Sequence, residues 1–144
     1  MNTIKLSGSL IASLLFSTAT FAQSAMNFDK IKIAGSAVVE LRQGEVAGIT
    51  SEDQGANNNI MNFVSTSVDG WLVITGSSDD IIVTANQLNK IDISGSGKLE
   101  SNGAFNTNEI DLRVTGAGKM DLSLQAKKTN CVISGSGKIE LEEL

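Results

Sequence analysis

The chain has no histidine, no proline and no tyrosine among its 144 residues, and it has a single cysteine. Each absence removes a class of chemistry. Without histidine there is no Ser-His-Asp triad, no imidazole proton shuttle and no His-ligated zinc. One cysteine excludes an intrachain disulfide, a CxxC redox pair and a four-cysteine metal site. Aromatic residues are scarce at 4%, and cations are outnumbered, with 11 Lys+Arg against 16 Asp+Glu. That balance speaks against nucleic acid or an anionic membrane as a partner. No set of side chains suggests a catalytic centre or a cofactor site, so the expectation is a non-enzymatic protein with no cofactor and no metal.

What is present begins with an address. Lys5 supplies a positive n-region, Leu10–Phe16 a compact apolar run, and Thr20-Phe21-Ala22 the small residues of a cleavage site. This is the layout of a secretory signal peptide over residues 1–22. Ser13, Ser17 and Thr18 interrupt the run, which falls short of the ~20 apolar residues that span a bilayer. Removing 22 of 144 residues leaves 122, and loss of Lys5 takes the formal charge from −5 to −6. The expected product is one domain, 23–144, exported to the periplasm or outer surface, with no integral membrane segment after processing.

The strongest signal in that domain is internal repetition. Ile91-Asp-Ile-Ser-Gly-Ser-Gly-Lys-Leu-Glu100, Leu112-Arg-Val-Thr-Gly-Ala-Gly-Lys-Met-Asp121 and Cys131-Val-Ile-Ser-Gly-Ser-Gly-Lys-Ile-Glu140 align without gaps. Their first glycines, Gly95, Gly116 and Gly135, are 21 and 19 residues apart. Fainter copies surround Gly35 and Gly76. Within each copy apolar and polar residues alternate, the period of a strand with one buried face. Each copy therefore reads as strand, glycine bend, strand. The bends are Gly95 and Gly97, Gly116 and Gly118, and Gly135 and Gly137, all placed in the inward phase by parity. A unit this short buries its apolar face only by stacking on neighbours.

Stacking predicts an all-β fold: a short right-handed parallel β-helix, or solenoid, with ~20-residue rungs. Strands that include a hairpin precede it over 23–90, and the Gly-Ser-Gly rungs occupy 91–144. Three interior columns are expected: Ile91, Leu112 and Cys131; Ile93, Val114 and Ile133; and Leu99, Met120 and Ile139. Phe105 and Leu124, in otherwise polar connecting segments, would close the open side. The hairpin is assigned to 62–75 around a two-residue Asp69-Gly70 turn, and 55–59 reads as a loop. Further core candidates are Phe28, Ile31, Ile33, Val39, Leu41, Ile49, Phe63, Trp71, Ile81 and Val83. Burial of Cys131 predicts a thiol unreactive in the native protein.

The order Phe28-x-x-Ile31-x-Ile33-x-Gly35-Ser36, a Val39-x-Leu41 strand, the Asp69-Gly70 hairpin, Ile81-Ile82-Val83-Thr84 and the repeated Gly-Ser-Gly-Lys rungs resembles one known family. This is the head GIN domain family of exported bacterial proteins, labelled auto-transporter adhesins. The resemblance covers roughly 28–144, and the ISGSGK rungs at 93–98 and 133–138 are its most specific part. It implies a β-helical envelope protein with an adhesive role, and it carries no catalytic residues. Members usually have more such rungs, and no translocator barrel accompanies the residues here.

The candidate functional surface is outward. Lys98, Lys119 and Lys138 would stack about 4.8 Å apart, beside a column of Glu100, Asp121 and Glu140. This charge-balanced strip either keeps the face solvated or binds an envelope glycan or protein. Asp92 and Arg113 would pair on adjacent rungs. The Gly-x-Gly-Lys segments resemble part of a phosphate loop but lack the Ser/Thr after the lysine and the following helix. Asp79-Asp80 near Asp69 lacks any calcium-loop pattern. Two alternatives accompany the adhesive reading. One is a structural module self-associating through the exposed edge of the rung Cys131–Leu141. The other is a carbohydrate-active enzyme, for which Arg42 and Arg113 are the only arginines.

Overall fold

The structure, a computed structural model, describes residues 26–51, 64–76 and 80–143. The signal-peptide assignment, the 55–59 loop, Phe63 and Asp79 lie outside the described residues. Ten strands form one curled sheet: β1 (Lys30–Gly35), β2 (Val38–Gln43), β3 (Gly48–Ser51), β4 (Val64–Thr66), β5 (Trp71–Ile74), β6 (Asp80–Ala85), β7 (Lys90–Gly95), β8 (Lys98–Gly116), β9 (Lys119–Gly135) and β10 (Lys138–Glu143). The all-β expectation holds, and no helix occurs among the described residues.

The repeats pair in parallel and in register. Ile91 lies opposite Leu112 and Ile93 opposite Val114, while Leu112 and Val114 face Cys131 and Ile133 on the other side. On the second row of strands Leu99, Met120 and Ile139 align in the same way. The faint copies are full rungs too, with Ile31 and Ile33 against both Leu72 and Ile74 and Ile91 and Ile93. Val39 and Leu41 stand opposite Ile81 and Val83. Alternation at period two thus builds continuous apolar columns, and the side chains of these columns are buried up to the last rung.

Spatial order differs from chain order. The rung of β5 and β6 stacks outside that of β1 and β2, and β7 with the start of β8 pairs on the opposite side of the β1–β2 rung. The reason lies in the two antiparallel strands. β3 pairs with β6 and β4 with β5, so both edges of the outermost rung are covered. Those covers can be placed only if the β5–β6 rung is at the end of the stack. Covering an edge in this way removes a template for unwanted pairing.

The unequal repeat spacing also has a physical cause. β8 holds 101–103 where β9 holds only Leu122, a register irregularity between Glu100 and Ala104. This accounts for the 21-residue first interval against the 19-residue second. Gly103 takes φ +85° there, and the Ser101 hydroxyl accepts a 2.8 Å hydrogen bond from the Ser123 amide. Past the irregularity, Phe105 and Leu124 lie in register and are buried.

The glycine bends correct the parity argument. Only the second glycine of a pair faces the core. A Cβ on Gly97 would lie 2.7 Å from the Ile33 Cγ2 methyl, and Gly118 repeats the arrangement against Ile93. The first glycine faces outward in a left-handed conformation: Gly95 has φ +122°, and a Cβ there would meet the Gly35 carbonyl oxygen at 2.8 Å. Gly116 and Gly135 continue that backbone column, and Gly137 closes the inward one. The bend amides bond from rung to rung, with Ser96 N–H to the Gly35 carbonyl at 3.0 Å and Lys98 N–H to the Ala37 carbonyl at 2.9 Å. Ala117, Lys119 and Lys138 repeat this pattern. A proline at these positions would remove a donor, which fits its absence from the sequence.

Three further expectations change. The hairpin of β4 and β5 forms, but its loop has three residues: the Gly70 amide donates to the Ser67 carbonyl, and Gly70 takes φ +85°. This is a type I turn followed by a bulge glycine. Trp71 is half-buried and outside the core, while Ile49 is half-buried but packs against it. Cys131 keeps its column position against Leu112 yet is exposed, because no described rung covers it from the far side.

Candidate functional site

The charged strip assembles as its spacing predicted. Lys98, Lys119 and Lys138 stand in one register column, and Glu100, Asp121 and Glu140 in another. The columns meet through ion pairs: Lys98 with Glu100 at 2.6 Å, Lys138 with Glu140 at 2.8 Å, and Lys119 with Glu140 at 3.5 Å. Contact with Glu100 raises the Lys98 ammonium above its ordinary pKa, and Lys138 lowers the Glu140 carboxyl below the usual range. All of these groups are solvent-exposed, so each pair contributes little to stability. Their effect is to make the strip locally neutral and ordered.

The acid column extends one rung further than the repeat alignment implied. Glu40 aligns with Glu100, while Val38 stands in the lysine column. Hydrogen bonds from Asn102 and then Arg42 hold the Glu40 carboxyl below the ordinary range. Its pairing is therefore present above the ordinary carboxylate pKa and is lost as pH falls through the lowered value. The parity of Val39-Glu40-Leu41 was the signal available in the sequence. Asp92 and Arg113 are neighbours in register, but no ion pair joins them among the described residues. Arg113 Nε instead donates to the Thr115 hydroxyl at 3.4 Å.

Sequence reasoning missed two features. One is an open groove of about 850 Å³ where four connecting segments converge, with Met26–Asp29, Glu45–Ala47, Ser67–Gly70 and Asn86-Gln87 on its walls. The other lies on the outer side of the β5–β1–β7 row. Trp71 there stands beside Lys30, and Lys90 follows on the next strand. The Lys30 and Lys90 ammonium nitrogens lie 5.9 and 5.7 Å from the Trp71 ring centroid. A large apolar residue on the outward phase of a strand was the overlooked signal. Lys30 also contacts Asp29 at 3.2 Å and donates to the Asp69 carbonyl at 2.8 Å. Among the described residues no cluster of His, Cys, Asp or Glu could hold a metal ion, and no helix is long and apolar enough to cross a membrane.

Three solved structures are similar to this chain. A "putative lipid binding protein" of Parabacteroides distasonis superposes with a TM-score of 0.66 at 20% identity, over 83% of this chain. A "putative adhesin" of the same species gives 0.53 at 18% over 83%, and one of Parabacteroides merdae gives 0.51 at 17% over 81%. The chain spans 57%, 62% and 61% of their respective lengths. At such identities the likeness establishes the fold alone. No curated relative matches the chain at a significant level. Residues 27–142 match the family described as "Putative auto-transporter adhesin, head GIN domain". The chain therefore belongs to the head GIN domain family.

Proposed function

We propose that the protein is an exported, non-enzymatic module of the cell envelope, a short right-handed parallel β-solenoid that acts by surface contact with a glycan or protein. Family membership supports the setting. The observation that carries the contact reading is the strip of Lys98, Lys119 and Lys138 beside Glu100, Asp121 and Glu140, spaced rung by rung on a rigid sheet. Such a strip offers donors and acceptors at a fixed repeat with little ordering cost. The test is binding of the purified mature protein to intact cells and to arrayed envelope glycans. Charge reversal at Lys98, Lys119 and Lys138 is expected to weaken binding at least tenfold while strand content stays constant. Unchanged binding removes the strip from the account.

A second reading, self-association, is favoured by the last described rung. Val132, Ile133 and Leu141 there are 55%, 46% and 37% exposed. Partial burial raises the Cys131 pKa, so its thiolate is scarce near neutral pH. Cys131 should nonetheless label in the native protein, faster as pH rises. Assembly through this rung would make labelling slow down as protein concentration increases, with light scattering reporting the larger species. A concentration-independent rate and a constant mass would sink this reading.

A further inference from the structure

The two lysine groups of this protein are built differently. Along the strip, the lysine column is matched by a carboxylate column: Lys98 pairs with Glu100, and Lys119 and Lys138 both pair with Glu140. On the outer side of the β5–β1–β7 row the pairing is less complete: Lys30 pairs with Asp29, while Lys32 and Lys90 make no ion pair among the described residues. Lys30 and Lys90 stand directly opposite each other in neighbouring strands, and Lys32 follows two residues along on the same face. Like charges placed in this way repel. Asp92 stands directly opposite Lys32, and Asp111 directly opposite Lys90. Among the described residues, however, neither makes an ion pair with Lys32 or Lys90, and Asp111 accepts a 2.7 Å bond from Asn130. Asp29 and the Asp69 carbonyl hold the Lys30 ammonium, and the Trp71 ring lies within 6 Å of both Lys30 and Lys90.

Trp71 is the chain's only tryptophan. It is half-buried on the outward phase of its strand, although a sheet with so little aromatic content could have used it in the core. An indole and several cations held on adjacent strands are the components that hold anionic, ring-bearing ligands. We propose that Trp71 with Lys30, Lys32 and Lys90 binds an acidic polysaccharide. Carboxylate or sulfate groups meet the ammonium groups, and an apolar sugar face packs against the exposed part of the indole. A bilayer is the poorer fit. The chain is acidic overall, at −5, and the column of Glu40, Glu100, Asp121 and Glu140 on the other strand row would face an extended anionic surface with repulsion. A single polymer strand can contact the patch alone.

The proposal rests on the contact reading only in taking envelope saccharide as the encountered material, because its side chains are not those of the strip. The full chain is titrated with polygalacturonate, dextran sulfate and neutral dextran, with Trp71 emission as the site reporter and calorimetry as an independent measure. Both acidic polymers are expected to shift the emission saturably, and neutral dextran to leave it unchanged. K90Q and K30Q should each weaken binding at least tenfold, K90R should restore it, and K127Q, at an exposed lysine outside both the strip and the Trp71 cluster, should behave as the parent protein. Circular dichroism of each variant confirms its strand content.

Several results overturn the site: no response to either acidic polymer, an equal response to neutral dextran, or equal weakening by K127Q, which would mean bulk ion exchange. Binding to phosphatidylglycerol vesicles without polymer binding would overturn it in favour of a membrane surface. The intact-cell assay can fail while polymer binding persists, and the reverse can also occur, so the two readings stand or fall separately.

Discussion

Gly95→Ala should cost about 2–6 kcal/mol of folding stability, a large share of the roughly 5–15 kcal/mol that holds a domain of this size together. Two effects add. A non-glycine residue at φ +122° is strained, at about 1–3 kcal/mol. The new methyl would also lie 2.8 Å from the Gly35 carbonyl oxygen and 3.1 Å from its amide nitrogen. Those atoms are backbone, fixed by the rung-to-rung hydrogen bonds, so relief requires separating two rungs, an overpacking cost of about 1–3 kcal/mol. Gly76 isolates the first effect. It has φ +135°, but nothing lies within 4 Å of its ideal Cβ, because it belongs to the outermost rung. Gly76→Ala should therefore lose only the strain. Urea unfolding of both variants, with the slope unchanged, reads the difference. Equal losses would show that close approach of the bends does not limit this position.

Phe105→Ala should destabilise by about 3–5 kcal/mol, the range for removing a buried phenyl ring. Phe105 is 1% exposed, stands in register with Leu124 and belongs to the buried apolar cluster. Phe105→Leu keeps most of the volume and should cost less than about 1.5 kcal/mol. Leu124→Ala combined with Phe105→Ala should be non-additive, since the two share one cavity. A loss below about 1 kcal/mol for Phe105→Ala would mean that the ring contributes little to the core.

Much of this architecture was legible because a period of two and a repeat near twenty residues are both written in the apolar positions. Ile91, Leu112 and Cys131 could be placed in one column before any coordinates, and Phe105 and Leu124 could be picked out from their polar connecting segments. What could not be read was anything set by where the stack has its ends. Cys131 obeys the parity of its column, yet parity says nothing about whether a further rung covers it. The faint copies at Gly35 and Gly76 carry no mark of their exchanged order, which follows from the covers supplied by β3 and β4. Trp71 was assigned to the core by its chemistry, when its phase, shared with Lys30 and Lys90, placed it outside. The charged strip was visible because it repeats. The lysine–tryptophan cluster was not, because it draws on strands from three different rungs.

The exchanged order of the rungs has a consequence for how the chain reaches its fold. In a stack built in chain order, each rung could dock on its predecessor as it emerged. Here the β1–β2 rung lies between two that come later, through contacts such as Ile31 with Leu72 and Ile31 with Ile91. Closing those contacts spans loops of about 40 and 60 residues, an entropic cost met before the contacts repay it. Pairing across those loops, of β1 with β5 and with the glycine-marked repeat of β7, is therefore expected to limit the rate of folding. β9 and β10 pair with the strand just before them in the chain, at separations of about 20 residues, and should add more quickly.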